Sequence, residues 1–293
     1  MYSAGIRTSF AIGLSNAKCY YYHSTRWCHK NVTGRVLSIP INTACNSQGT
    51  CDDCFKGVRH EGEPEGKFEE IGGFKCYVGT PAGDYPKDKV VLFFTDVFGL
   101  KLNNNLLLVD DFARNGFKTI APDILNDDPI IEMGASFDRD AWFVKHGRDS
   151  WIPVVDGVVE ALKTRGVTRF GTTGYCFGAP PAFYLALKNE SHVTVLAHPS
   201  RLEVPGDFER YKAESKAPLL INSCEVDRAF PQESQAIADQ VLGDGKFTPG
   251  YERLYWKGCT HGFAVRGDLS DPKIKAGKEG AFEASVKFYK KYL

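Results

Sequence analysis

The run Gly174-Tyr175-Cys176-Phe177-Gly178 lies between a β-rich segment, Arg169 to Thr173, and a helix-compatible segment, Ala182 to Leu187. A strand that bends at once into a helix admits few backbone solutions. The chain passes close to its neighbours on both sides of the bend, so small residues are needed there. The bend lifts its middle side chain out of the sheet towards solvent. It also aims the N-terminus of the next helix at that side chain. A cysteine in this position is expected to favour thiolate over thiol. The string itself is short, and its meaning depends on the elements around it.

Those elements alternate. Phe74 to Val78 reads as a short first strand. Val90-Val91-Leu92-Phe93-Phe94 is an unbroken apolar run, the pattern of a strand buried on both faces. Further strands are expected at Phe117 to Ala121, Val193 to Ala197, Leu219 to Ser223 and Tyr251 to Trp256. Leu106 to Arg114 is helix-like, and Asn115-Gly116 closes it as a C-cap. Helices are also expected at Val154 to Lys163, Gln232 to Leu242 and Ala281 to Tyr292. Leu125 to Lys145 is irregular and reads as an excursion over the sheet edge. The alternation predicts an α/β fold, with a mostly parallel central sheet and helices on both faces. Ligands in such sheets sit beyond the carboxyl ends of the strands.

The chain has 293 residues and 43% apolar content, enough for a buried core. Its formal net charge is zero, which argues against nucleic acid as a partner. No apolar run reaches the ~18–20 residues of a membrane helix. Charge is unevenly spread. Residues 1–51 carry Arg7, Lys18, Arg26, Lys30 and Arg35 and no acidic residue. An acid-free leader of this kind reads as a mitochondrial presequence. A disordered leader without an address competes with that reading. The apolar stretch Phe10 to Leu14 is too short for a secretory signal, and the C-terminal Lys291-Tyr292-Leu293 is not a peroxisomal address. Residues 1–50 show no sustained periodicity and are taken as this leader, with a folded domain over 51–293.

Nine cysteines do not suggest a disulfide framework in a chain this long. Cys51 and Cys54 form a C-x-x-C that could bind zinc with Cys45 and His60, or act as a redox pair. Without a second C-x-x-C or a surrounding βαβ unit, reduced solvated thiols are the preferred reading.

Three residues follow strands in a telling order. Cys176 follows the strand ending at Thr173, Asp227 lies past Leu219 to Ser223, and His261 lies past Tyr251 to Trp256. Nucleophile, acid, histidine is the chain order of α/β-hydrolases. A thiol near its free pKa of ~8.5 is mostly protonated at neutral pH. His261 can take that proton and return it to a leaving group, while Asp227 fixes the imidazole tautomer. His198 is an alternative base, out of order for a triad. Cys224 and Cys259 read as apolar fillers, and His146 and His192 as structural or surface residues. An oxyanion hole needs two N–H groups. Phe177 supplies one, and Val97, in the turn after the apolar strand, is the candidate for the other. Trp142, Phe143, Phe98 and Tyr175 could wall a pocket, although core packing is the commoner use of such aromatics.

Asp96-Val97-Phe98-Gly99, the Gly174 to Gly178 run, Asp227 and His261-Gly262-Phe263 resemble the dienelactone hydrolase family. Phe55 to Gly62, Gly66-Lys67 and Ile71-Gly72-Gly73 resemble its eukaryotic, fungal-like branch. The resemblance runs from about Cys54 to the C-terminus. It implies a single α/β-hydrolase domain that opens a small ester or lactone through a thioester-type acyl-enzyme, without metal or organic cofactor. Bacterial members carry Glu where this chain has Asp96, as a thiol activator. They carry Arg, as a substrate-carboxylate ligand, where this chain has Val265 followed by Arg266. Asp96 and Arg266 are therefore candidate thiol-activating and substrate contacts. The competing functions are a non-catalytic member of the fold that binds a small molecule or partner protein, and a thiol-redox or metal protein built on Cys51 and Cys54. The natural ester and the oligomeric state are left open.

Overall fold

A computed structural model describes residues 19–22, 25–28, 62–132 and 137–293. The chain divides into two units, Met1–Ala44 and Cys45–Leu293. In the first, strands β1 (Cys19–Tyr22) and β2 (Thr25–Cys28) pair antiparallel, with Tyr20 opposite Trp27. This hairpin departs from the expected absence of structure before residue 50. Its four-residue strands are too short to show a period, although Tyr, Trp and Thr all favour strands. The rest of the proposed leader, Cys45 included, lies outside the described residues, as do Cys51, Cys54 and His60 after it.

The second unit carries an eight-stranded sheet. Its strands are β3 (Lys67–Ile71), β4 (Phe74–Gly79), β5 (Lys89–Phe94), β6 (Thr119–Pro122), β7 (Arg169–Tyr175), β8 (Val193–Ala197), β9 (Leu219–Val226) and β10 (Tyr251–Thr260). The spatial order is β10-β9-β8-β7-β5-β6-β4-β3. Every ladder from β10 to β6 is parallel, and β4 pairs antiparallel with both β6 and β3. Helices α1 (Asn103–Arg114), α2 (Arg139–Lys145), α3 (Arg148–Thr164), α4 (Ala179–Leu187), α5 (Gly206–Glu214), α6 (Gln232–Leu242), α7 (Phe263–Arg266) and α8 (Pro272–Tyr292) connect the strands or close the chain.

The apolar run of β5 behaves as its composition requires. Val90, Leu92 and Phe94 enter the core on one face of the sheet, and Val91 and Phe93 enter the other. Each such burial is worth roughly 1.5–3 kcal/mol. α8 starts where Asp271 accepts the Lys273 N–H at 2.8 Å, with Pro272 at its first turn. Its Tyr289 hydroxyl donates to the Thr172 carbonyl on β7 at 2.7 Å. Gly171 allows that approach, since a Cβ there would lie 2.9 Å from the Tyr289 ring. The excursion after Leu125 contains the short α2, capped by Asp138 and burying Trp142 and Phe143. No helix among the described residues is long and apolar enough to cross a membrane.

Candidate active site

Two glycines explain the bend at the end of β7. A Cβ on Gly174 would lie 2.4 Å from the Gly178 carbonyl oxygen, and one on Gly178 would lie 2.1 Å from the Phe94 carbonyl oxygen. Between them Cys176 has φ +52°, a left-handed conformation unfavourable for a residue with a Cβ. A 3-10 turn, Cys176–Gly178, leads into α4. The thiol is not solvent-facing as the bend alone suggested: Cys176 is 1% exposed. The turn after β8 folds over it. Ser200 donates its N–H to the Cys176 carbonyl at 3.0 Å, and its hydroxyl lies 3.6 Å from Sγ.

His261 and Asp227 meet at the ends of β10 and β9. β10 runs parallel to β9 until a register shift between Trp256 and Thr260. Gly258, at φ +82°, donates its N–H to Glu225 Oε2 at 2.7 Å within that irregularity. The His261 N–H then returns to the Val226 carbonyl at 2.9 Å. His261 Nδ1 lies 2.9 Å from Asp227 Oδ1, and both side chains are fully buried. Oδ1 also accepts the Ala229 and Phe230 N–H groups at 2.9 Å each, which fixes the carboxylate. The Cys224 thiol donates to Oδ2 at 3.6 Å, so this cysteine touches the acid as well as filling space.

Burial alone would depress the His261 pKa. The negative charges of Asp227 and of Cys176 overcome it and hold the imidazole well above its ordinary value. His261 Nε2 has no hydrogen bond of regular geometry among the described residues. The arrangement therefore has one ring nitrogen fixed by a carboxylate and the other available beside a thiol, the layout a proton shuttle needs.

Asp96 and Arg266 meet each other. Arg266 Nη1 donates to Asp96 Oδ2 at 2.6 Å, with both side chains buried. Oδ1 accepts the Phe98 N–H at 3.2 Å and the Asn105 side-chain amide at 3.0 Å. Burial raises the Asp96 pKa, Arg266 opposes that rise, and the charge of Cys176 adds to it. Arg266 is thus not a solvated surface residue. Gly262 makes room for it: a Cβ there would lie 2.6 Å from the guanidinium carbon. Val97 is held by its carbonyl, which accepts the Ile130 N–H at 2.9 Å. Its own N–H makes no hydrogen bond to a described residue.

The remaining candidates divide. His146 Nε2 bonds Asp128 at 2.9 Å, and His192 Nδ1 accepts the Phe170 N–H at 3.2 Å, both structural roles. Trp142 and Phe143 pack against Phe177 with ring centroids 5.7 and 6.1 Å apart, and Tyr175 stacks on Phe93 at 4.8 Å. These three belong to the core. A cavity of about 290 Å³ opens beside Phe177, walled by Trp151, Phe183, Tyr184 and Arg201 among others. The sequence did not single out Ser200 and Arg201, which lie beside the thiol and in the cavity wall. Both follow β8 directly, and the rule that sites lie beyond strand ends, applied to β8, would have found them.

The dienelactone hydrolase family model matches residues 74–293. The chain belongs to the dienelactone hydrolase family. It is accordingly a hydrolase acting on ester or lactone bonds. A hydrolase from Aspergillus violaceofuscus, pyvD, is 30% identical over 82% of this chain and 96% of its own length. Dienlactone hydrolase 1 of Gibberella moniliformis is 29% identical over 80% of this chain and 91% of its own. A carboxymethylenebutenolidase homolog of Xenopus tropicalis is 25% identical over 82% and 96%. Among solved structures, a putative dienelactone hydrolase from Klebsiella pneumoniae superposes with a TM-score of 0.61 at 17% identity, covering 78% of this chain and 98% of its own. The family match begins at β4 and spans every residue described at this site.

Proposed function

We propose that this dienelactone hydrolase-family chain cleaves a small ester or lactone with Cys176 as nucleophile, His261 as proton shuttle and Asp227 as its anchor. The observation that carries the reading is the His261 ring. Asp227 holds Nδ1 at 2.9 Å, and the other face of the imidazole's chemistry is left for the thiol at the strained bend. The Cys176 thiolate attacks the carbonyl carbon, and the Val97 and Phe177 N–H groups receive the oxyanion. The C–O bond to the leaving group breaks as His261 gives it a proton. In a lactone that leaving oxygen stays tethered to the acyl group. Water then attacks the thioester, His261 takes its proton, and the thiolate departs. Asp96, paired with Arg266 and close enough to feel the charge of Cys176, adds to the field at the sulfur.

Turnover of p-nitrophenyl acetate and of a dienelactone by wild type and Cys176→Ala tests this. Hydrolysis of either compound that disappears in the variant is the expected result. Turnover surviving in Cys176→Ala would remove the cysteine from the chemistry. No turnover by wild type on either compound would favour a binding role.

A further inference from the structure

The turn His198-Pro199-Ser200-Arg201 after β8 is strained in two places. His198 has φ +36° and Arg201 has φ +60°, and neither is glycine. Such conformations persist where the surroundings force them, and they concentrate at functional sites. Here the forcing contacts lead to the nucleophile. The His198 N–H bonds the Asn222 carbonyl at 2.8 Å, and the Ser200 N–H bonds the Cys176 carbonyl at 3.0 Å. Ser200 is buried, with its hydroxyl 3.6 Å from Sγ. Arg201 is half-buried with its guanidinium over the Phe143 ring, 4.7 Å from the centroid. Among the described residues it has no carboxylate partner. A half-buried cation in that position keeps its field for whatever negative charge lies near. Arg201 lines the cavity that opens beside Phe177, the residue after Cys176, together with Arg148, Glu203, Asp207 and Arg210. Burial depresses the Arg201 pKa, and the charge of Cys176 opposes that depression.

We propose that Ser200 and Arg201 form a second support for the Cys176 thiolate, separate from His261, in which the hydroxyl donates to Sγ and the guanidinium supplies positive potential. The proposal rests on Cys176 being the nucleophile. The other charged and titratable groups around the sulfur are His261 and Asp227, Asp96 and Arg266, and His198. His261, with Asp227 behind it, faces the sulfur from the ends of β10 and β9 and favours thiolate. Asp96, from the turn after β5, disfavours it and is itself countered by Arg266 on α7. His198 packs against His261 with ring centroids 5.0 Å apart, and burial, followed by the charges of His261 and Arg266, keeps it neutral. It therefore adds no charge. With the Asp96 carboxylate matched by Arg266, the Ser200 hydrogen bond and the Arg201 field keep the sulfur ionised when His261 is neutral.

The test is the pH dependence of Cys176 alkylation by iodoacetamide, read by mass on the Cys176 peptide in the full chain. Iodoacetamide is neutral, so its rate follows ionisation of the sulfur. Ser200→Ala and Arg201→Gln are each expected to slow the reaction about tenfold on the acid limb, with the alkaline plateau unchanged. Arg201→Lys should recover most of the loss, which a merely structural role would not explain. Profiles of Ser200→Ala and Arg201→Gln that superpose on wild type would overturn the proposal. So would an Arg201→Gln effect confined to anionic iodoacetate, because that would make Arg201 an anion attractor only. If a variant melts early, the remaining one and Arg201→Lys still decide the matter. This readout needs no substrate, so its failure is distinct from turnover surviving in Cys176→Ala.

Discussion

Gly178→Ala should displace Cys176 from the rest of the site. The added Cβ would lie 2.1 Å from the Phe94 carbonyl oxygen, 2.6 Å from its carbonyl carbon and 2.9 Å from its Cβ. Ordinary contact begins near 3.4 Å, so more than an ångström must be found. The two nearest atoms are backbone at the end of β5, where Phe94 is paired in register with Gly174 of β7. Neither strand can move alone, so the displacement falls on the bend that carries Cys176 and the Phe177 N–H. Overpacking of this kind costs about 1–3 kcal/mol of stability. A shift of about 1 Å in a reacting group costs on the order of a hundredfold in rate. Gly206→Ala is the control. That glycine has ordinary φ and nothing within 4 Å of its Cβ position, at the first residue of α5. It should be neutral or stabilising by about 0.4–1 kcal/mol. Urea denaturation gives the stabilities and ester turnover gives the rates. Wild-type turnover by Gly178→Ala, with a urea midpoint matching Gly206→Ala, would refute the packing argument.

Further substitutions probe the charges and Gly262. Asp227→Asn should lower the His261 titration midpoint, measured by NMR of the imidazole proton, because it removes the largest of the effects that oppose the depression by burial. The stability sign follows. With its folded pKa raised, His261 contributes stability that is fully present below about pH 6.5 and lost as pH rises through the folded value. Urea midpoints across that window should be flatter in Asp227→Asn than in wild type. Arg266→Met leaves Asp96 buried without its cation and should cost about 3–5 kcal/mol in urea denaturation, while Asp96→Asn/Arg266→Met recovers much of it. Gly262→Ala must hold φ +89° with a Cβ 2.6 Å from the Arg266 guanidinium carbon. It should lose at least the ~1–2 kcal/mol of a left-handed alanine in the same assay.

β5 and β8 were legible because they are buried on both faces and read as nearly continuous apolar runs. β3 was not. Lys67-Phe68-Glu69-Glu70 is exposed at the sheet edge, where charge protects against pairing with another chain and erases the apolar signal. α2 and α5 each bury only two side chains, too few for a visible period. Asp227 and His261 were named from chain order, although the strands before them run further than their apolar cores. β9 extends through Glu225 to Val226, and β10 through a glycine and a register shift to Thr260. Asp96 and Arg266 were named separately, and only the fold makes them a pair. They are far apart in sequence, and the space for the guanidinium comes from Gly262. Ser200 carried no local signal beyond its place after a strand. The burial of Cys176 could not be read from the bend, since the residues that cover it come from the next strand's turn.

The measurement that bears most directly on the nucleophile is an acyl adduct. Wild type mixed with p-nitrophenyl acetate, quenched early in acid and digested, should yield an acetylated peptide containing Cys176, discharged by neutral hydroxylamine as a thioester. The adduct should be absent in Cys176→Ala. An adduct on another residue, or turnover with no cysteine adduct at any quench time, would contradict Cys176 as the nucleophile.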